Sequence, residues 1–235
     1  MFVAPVTLFA ASGSPPPSGN PVALGSGGST GPTIVITTGA NAPAGSAIVY
    51  CGFSQVARLD AIASVTDSAG NTYTVVSPPG GSNQACYWAY ALNITNLPNG
   101  GTITATLGRS SGNGSLGLAF VIPHVALTSA LDVNVNSPDS ASATGQTVAS
   151  GVLAQASEIV LSAIGTISGD FSGVYNPSAP FTKIMELTQS EGGQVDYIGA
   201  YYDIVASTSS VNATMTNVNS VNVGSGAAVI SLKLV

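Results

Sequence analysis

The residues able to do chemistry are few. His124 is the single imidazole, and Asp132 is the nearest carboxylate that could orient it for a Ser-His-Asp triad. A histidine following Pro123 at a strand end reads better as a loop residue than as a general base. Glu186, Asp196 and Asp203 fall in or beside adjacent expected strands, so a glycosidase pair must be checked. Such a pair flanks the bond it breaks at about 5–9.5 Å and works beside aromatic sugar platforms, whereas the chain has one Trp. These carboxylates therefore read as solvated or paired strand residues. Cys51 and Cys86 lie mid-strand in apolar segments and read as buried free thiols, although facing Cβ atoms on neighbouring strands would allow a disulfide. The run Gly27-Gly-Ser-Thr-Gly31 formally matches a Gly-x-Ser-x-Gly nucleophile, but no strand-turn-helix elbow is available to present Ser29.

One motif reads more sharply. Asp67-Ser-Ala-Gly-Asn71 separates two β-like segments. Asp67 can accept amides across a turn while Gly70 or Asn71 takes positive φ, which gives a tight hairpin. Calcium on Asp67 and Asn71 is the alternative, but a calcium loop wants more acidic oxygens and a bidentate Glu.

Composition narrows the function further. Only 6% of the 235 residues are charged while 45% are hydrophobic, so the chain falls outside the disordered class. A net charge of −6, with Arg58, Arg109, Lys183 and Lys233 scattered along the chain, argues against nucleic acid and against an anionic membrane surface. No stretch approaches the roughly 18 apolar residues of a membrane helix. One His and two Cys exclude a zinc site made of those residue types alone, and no cofactor or metal is expected.

The elements that must position these residues are strands. From Thr33 onward, short β-branched and aromatic runs alternate with Gly, Pro, Asn and Ser clusters, and no amphipathic 3.6-residue period appears. Residues 1–32 carry no charge and run through Pro15-Pro-Pro17 and Gly25-Ser-Gly-Gly-Ser-Thr-Gly31. They read as an extended arm with an apolar tip at Phe2, Val3, Val6, Leu8 and Phe9. Pro5 in the apolar run and the missing basic n-region argue against a secretory signal. A shift of about 111 residues aligns residues 45–122 with 156–233, placing Ala47-Ile-Val-Tyr50 on Glu158-Ile-Val-Leu161, so an internal duplication is expected. Two such units, each with one apolar face, predict a two-sheet, jelly-roll-like β-sandwich over residues 33–235. The aromatic run Tyr87, Trp88 and Tyr90, with its counterpart Tyr197, Tyr201 and Tyr202, is apolar on both strand faces. One face belongs in the core, and the other is covered by the arm or offered to a partner.

The segment Val65 to Tyr73, Val-Thr-Asp-Ser-Ala-Gly-Asn-Thr-Tyr, followed by the aromatic strand, resembles a group of β-sandwich proteins of phages and bacteria. Their mark is a Val-Thr-Asp-Ser-x-Gly-Asn-x-Tyr hairpin, and the likeness covers about residues 45–122. The resemblance implies virion components (head decoration, fibre and tail-tip modules) or secreted adhesive domains, and brings no catalytic residues. The expectation is a non-enzymatic virion subunit decorating a capsid, held by its arm to other virion proteins. It is expected as a homo-oligomer, a trimer being the favoured number, because so charge-poor a surface opposes association only weakly. The alternative is an extracellular or fibre-borne glycan- or receptor-binding module with Trp88, Tyr90 and Tyr201 as platforms.

Overall fold

The structure, a computed structural model, describes residues 19–54, 62–76, 85–108, 114–136, 145–168, 175–191, 194–217 and 224–235. The arm tip at Phe2, Val3, Val6, Leu8 and Phe9 lies outside the described residues. The strands in chain order are β1 (Val22–Ser29), β2 (Thr33–Thr37), β3 (Ala47–Ser54), β4 (Ile62–Asp67), β5 (Thr74–Val76), β6 (Ala85–Ala91), β7 (Thr102–Leu107) and β8 (Ser115–Ile122). The second half follows with β9 (Leu131–Asn136), β10 (Gly145–Ala149), β11 (Glu158–Ser168), β12 (Tyr175–Pro177), β13 (Thr182–Glu191), β14 (Gln194–Val205), β15 (Asn212–Asn217) and β16 (Gly224–Lys233). The described residues are all-β, and every strand pair is antiparallel.

The first half forms a five-stranded sheet in the order β1-β8-β3-β6-β5 and a three-stranded sheet β2-β7-β4. The second half forms β9-β16-β11-β14-β13 and β10-β15-β12. Element for element, the two orders are the same. Each half is a jelly roll in which the fifth strand joins the larger sheet beside the sixth. The β-sandwich class therefore holds, and the duplication is complete in connectivity. What differs from the sequence expectation is the layering. The halves do not contribute one sheet each to a shared sandwich; each is a sandwich, and the two pack through their five-stranded sheets.

Three cores follow from this arrangement. Ile34, Ile36, Tyr50, Ile103 and Val121 fill the first sandwich. Val148, Val160, Ile164, Tyr201 and Val229 fill the second. The largest core is the seam between the halves, where Val49, Cys51, Phe53, Trp88, Leu118 and Phe120 meet Leu161, Ala163, Ile198, Ala200 and Ile230. In the seam β6 lies against β16, and β8 against β14, an exchange that two-fold-related copies would make. Both faces of the large sheets are thus covered, so β3 and β8 are buried at every position. This explains why Ala47-Ile-Val-Tyr-Cys-Gly-Phe53 runs apolar without alternation. The small sheets have solvent on one side and alternate, as Thr33, Val35 and Thr37 point out while Ile34 and Ile36 point in.

Two expectations need correction here. The sandwich does not begin at Thr33, because Val22–Ser29, placed in the arm on composition, is the edge strand β1 paired with β8. Its glycines answer close approach: a Cβ on Gly25 or Gly27 would press on the backbone carbonyls of Thr37 and Val35, and one on Gly28 would overlap the Gln189 side chain. Equivalent positions are also not those paired by the sequence shift. Ile48 and Tyr50 face the first small sheet, whereas Ile159 and Leu161 face the seam. The true counterpart of Ile48 is Val160, one residue further on, which faces the second small sheet.

Candidate functional site

The Asp67 hairpin is built as a hydrogen-bonded corner. β4 ends at Asp67, and Gly70 takes φ of 77° to turn the chain. Asp67 Oδ1 accepts the amides of Ala69 (2.9 Å) and Asn71 (3.1 Å), while Oδ2 accepts Asn71 Nδ2 (2.8 Å) and the Tyr73 hydroxyl (3.0 Å). Four donors occupy the carboxylate. Asn71 then spans to the β6–β7 connection, residues 92–101: its Oδ1 accepts the Thr95 amide (2.7 Å) and hydroxyl (2.9 Å). Both motif oxygens serve the turn and the staple, and among the described residues no cluster of three metal-ligating side chains occurs. Burial, with the adjacent Asp67 charge, pushes the Tyr73 hydroxyl well above its usual range, so it stays a donor.

The aromatic residues read as a platform are placed elsewhere. Trp88 is 1% exposed within the seam, Tyr201 is fully buried in the second core, and Tyr90 is partly buried against the seam. Trp88 and Tyr201 therefore cannot act as platforms, because a sugar cannot stack on covered rings, while Tyr90 stays partly exposed. The strand face that asked for a partner is covered by the other half of the same chain. Core tyrosines settle instead over glycines: Tyr50 lies over Gly52 and Gly117, and the hydroxyls of Tyr197 and Tyr201, 2.8 Å apart, converge over Gly199.

The three candidate carboxylates do not assemble around a common point. Glu186 binds Lys183 Nζ (2.9 Å) and accepts the Tyr197 hydroxyl (3.1 Å). Asp196 is buried on the seam side of β14, the side carrying Ile198 and Ala200. Asp203 shares the other side of β14 with Tyr201, four residues beyond Gly199, the cross-strand neighbour of Glu186; that is about 13 Å of strand. His124 occupies a left-handed turn (φ 58°) whose carbonyl accepts the Val235 amide, while Asp132 accepts the Ala154 amide (2.7 Å). Ser29 accepts the Gly31 amide and serves its own turn (3.0 Å). Cys51 and Cys86 are free, buried and close, and burial pushes both thiols well up. The Cys86 thiol donates across the seam to the Gly226 carbonyl (3.3 Å).

One feature escaped the sequence reading. At the second half's equivalent of the Asp67 corner, the β12–β13 connection is residues 178–181 and the β14–β15 connection 206–211. Among the described residues no side-chain bridge of the Asn71 type joins them. Instead a cleft of about 500 Å³ opens there, lined among others by Pro180, Asp203, Val205, Ser207, Val211 and Asn212. Burial pushes the Asp203 carboxyl above its usual range, and a hydrogen bond from the Ile204 backbone partly counters the shift. The residue was visible in the sequence, but the cleft depends on a hairpin too short to fill it.

No protein-family model matches this chain, and no curated protein and no solved structure does so either.

Proposed function

We propose that this chain is a non-enzymatic structural protein of a phage virion, a capsid decoration subunit attached through its N-terminal segment. The observation that carries the reading is the pair of identically connected jelly rolls joined face to face by an apolar seam. That construction makes a stiff four-layer slab, and the jelly roll recurs in capsid and lectin domains, an analogy of fold that raises the expectation of such a role. The outer faces suit display. Thr33, Thr37, Thr102, Thr104, Thr106, Ser64 and Thr66 line one end, and Thr147, Thr214 and Thr216 the other. Gly19, the first described residue, lies against Leu234 of the seam.

The test is location. The chain should copurify with phage particles in stoichiometric amounts by mass spectrometry, and removing residues 1–18 should leave a folded slab that no longer attaches. The cut belongs at 18, since removing β1 as well would strip an edge strand from the first sheet. Absence from purified particles, or full occupancy by the truncated chain, would sink the reading. The homo-oligomer, a trimer being the favoured number, stays part of this proposal on the charge-poor surface, and the mass of the purified chain in solution tests it.

A further inference from the structure

The two jelly rolls share their connectivity but part company at one corner, and the parting leaves a site. Common hydrogen bonds fix the equivalence. The Thr38 amide donates to Gly101 as Ser150 does to Val211, and the Ala42 amide donates to Leu97 as Leu153 does to Thr208. In the first copy the corner is shut by Asn71, which holds Thr95 against the hairpin. Ala91, the strand residue paired with Ile48, is buried in that copy. In the second copy the residue paired with Val160 is Asp203, and an open cleft of about 500 Å³ stands beside it. A buried alanine in one copy is thus a partly exposed carboxylate in the other, beside the open cleft.

We infer that this cleft is a saccharide-binding site, with the Asp203 carboxylate accepting hydrogen bonds from adjacent sugar hydroxyls. The lining has the mixed character a sugar ring requires. Pro180, Val205 and Val211 offer aliphatic walls to its C–H face, while Ser207, Ser209, Ser210 and Asn212 offer groups that both donate and accept. A single carboxylate is too few for calcium, which takes six to eight oxygens with several acidic ones among them. An anionic ligand would meet the charge of Asp203 with no cation in the lining to offset it. The volume falls in the range of small-molecule sites, and the wide mouth implies weak binding. The site does not rest on the virion assignment, since a free extracellular module would carry the same cleft.

The experiment is an amide-resolved NMR titration of the intact chain with glucose, galactose, mannose and N-acetylglucosamine, each taken to tens of millimolar. At least one sugar should give saturable shifts confined to residues 178–181 and 203–212. Asp203→Ala and Asp203→Asn should each weaken it by about tenfold or more, since a charge-assisted acceptor is lost. Ser210→Trp should abolish it by filling the cleft. The rest of each variant's spectrum reports that the fold is intact. Shifts that never saturate with any sugar, or that survive both Asp203 variants, would overturn the inference. Spermidine, run as a second probe, sharpens the outcome: saturable binding of the amine with none of the sugars assigns the cleft to cations and rejects the saccharide. Particle attachment is measured separately, so failure here and failure of the virion reading remain distinct.

Discussion

The first jelly roll closes its corner with a side-chain staple, and the second leaves the same corner open. Nothing in the sheets differs enough to demand this, because the strand orders agree and each core is filled by the same alternate positions. The volumes beneath the corner were exchanged rather than lost. Leu97 is buried opposite Ala42 in the first copy, while Leu153 is buried opposite the exposed Thr208 in the second. The comparison teaches that in this duplicated scaffold the cores tolerate divergence by trading volume between facing connections. Connections also carry the differences on which function can be built.

The seam is the part both copies share, and breaking it should cost most. Trp88→Ala removes the largest fully buried side chain and leaves a cavity between the two large sheets. A loss of about 3–5 kcal/mol is expected, seen as a lowered midpoint in denaturant titration. Gly165 approaches the seam from the opposite sheet so closely that a Cβ there would overlap the Phe53 ring. Gly165→Ala should cost about 1–3 kcal/mol, and Phe53→Leu should recover part of it in the double variant. If Trp88→Ala changes the midpoint by less than the corner variants do, the seam is not the main bond between the halves.

The corner is next. Asp67→Ala strands two amides, the Asn71 side chain and the Tyr73 hydroxyl at once. The expected cost is about 1–3 kcal/mol, since unmet polar groups at a half-buried site are expensive while water can reach some of them. The more telling readout is local. Hydrogen exchange should accelerate at residues 68–73 and 94–97, and stay unchanged at the open corner around residues 178–181 and 206–211. Equal acceleration at both corners would show that the staple acts through the whole slab instead of one copy.

How much of this was legible follows from where the physics leaves a mark. The strands were readable because β-branched runs and turn residues alternate, and the Asp67 turn because Asp, Gly and Asn each have a distinct backbone use. The register was not. A one-residue slip in a strand carries every side chain to the opposite face, and Ala47–Phe53 and Leu116–Ile122 are apolar on both faces, so alternation could not arbitrate. Pairing Ile48 with Ile159 therefore looked as good as pairing it with Val160. β1 was hidden for another reason: its Gly and Ser content imitates a linker, and only the alternation of Gly25 and Gly27 on one face hinted at close backbone packing. The burial of Trp88 was legible only as an apolar run, because the surface covering it lies in the other half of the sequence. The cleft left no motif at all, since it arises from a short hairpin and is a property of what the second copy lacks relative to the first.

The smallest expected effect tests the comparison two residues before Ile48 and Val160, where Ser46 stands in the first copy and Glu158 in the second, both buried. Burial pushes the Glu158 carboxyl above its usual range. The neighbouring Ser231 hydroxyl, the Gln155 amide and Lys233 favour the charged form, and Asp132 opposes it. The sign of the pH effect follows from the raised value. At low pH the group is protonated whether the chain is folded or not, and it costs nothing. As pH rises through the ordinary glutamate range the unfolded chain releases its proton first, so the native state, still holding one, loses stability until its own higher pKa is passed. Glu158→Gln removes that loss. Its melting temperature should match the parent's at about pH 3 and exceed it slightly at about pH 7, the smallest change among these variants. A variant less stable than the parent at neutral pH would mean that Lys233 holds Glu158 ionised as a net stabilising pair. The second copy would then have gained an interaction at the position where this comparison assigns it a strain.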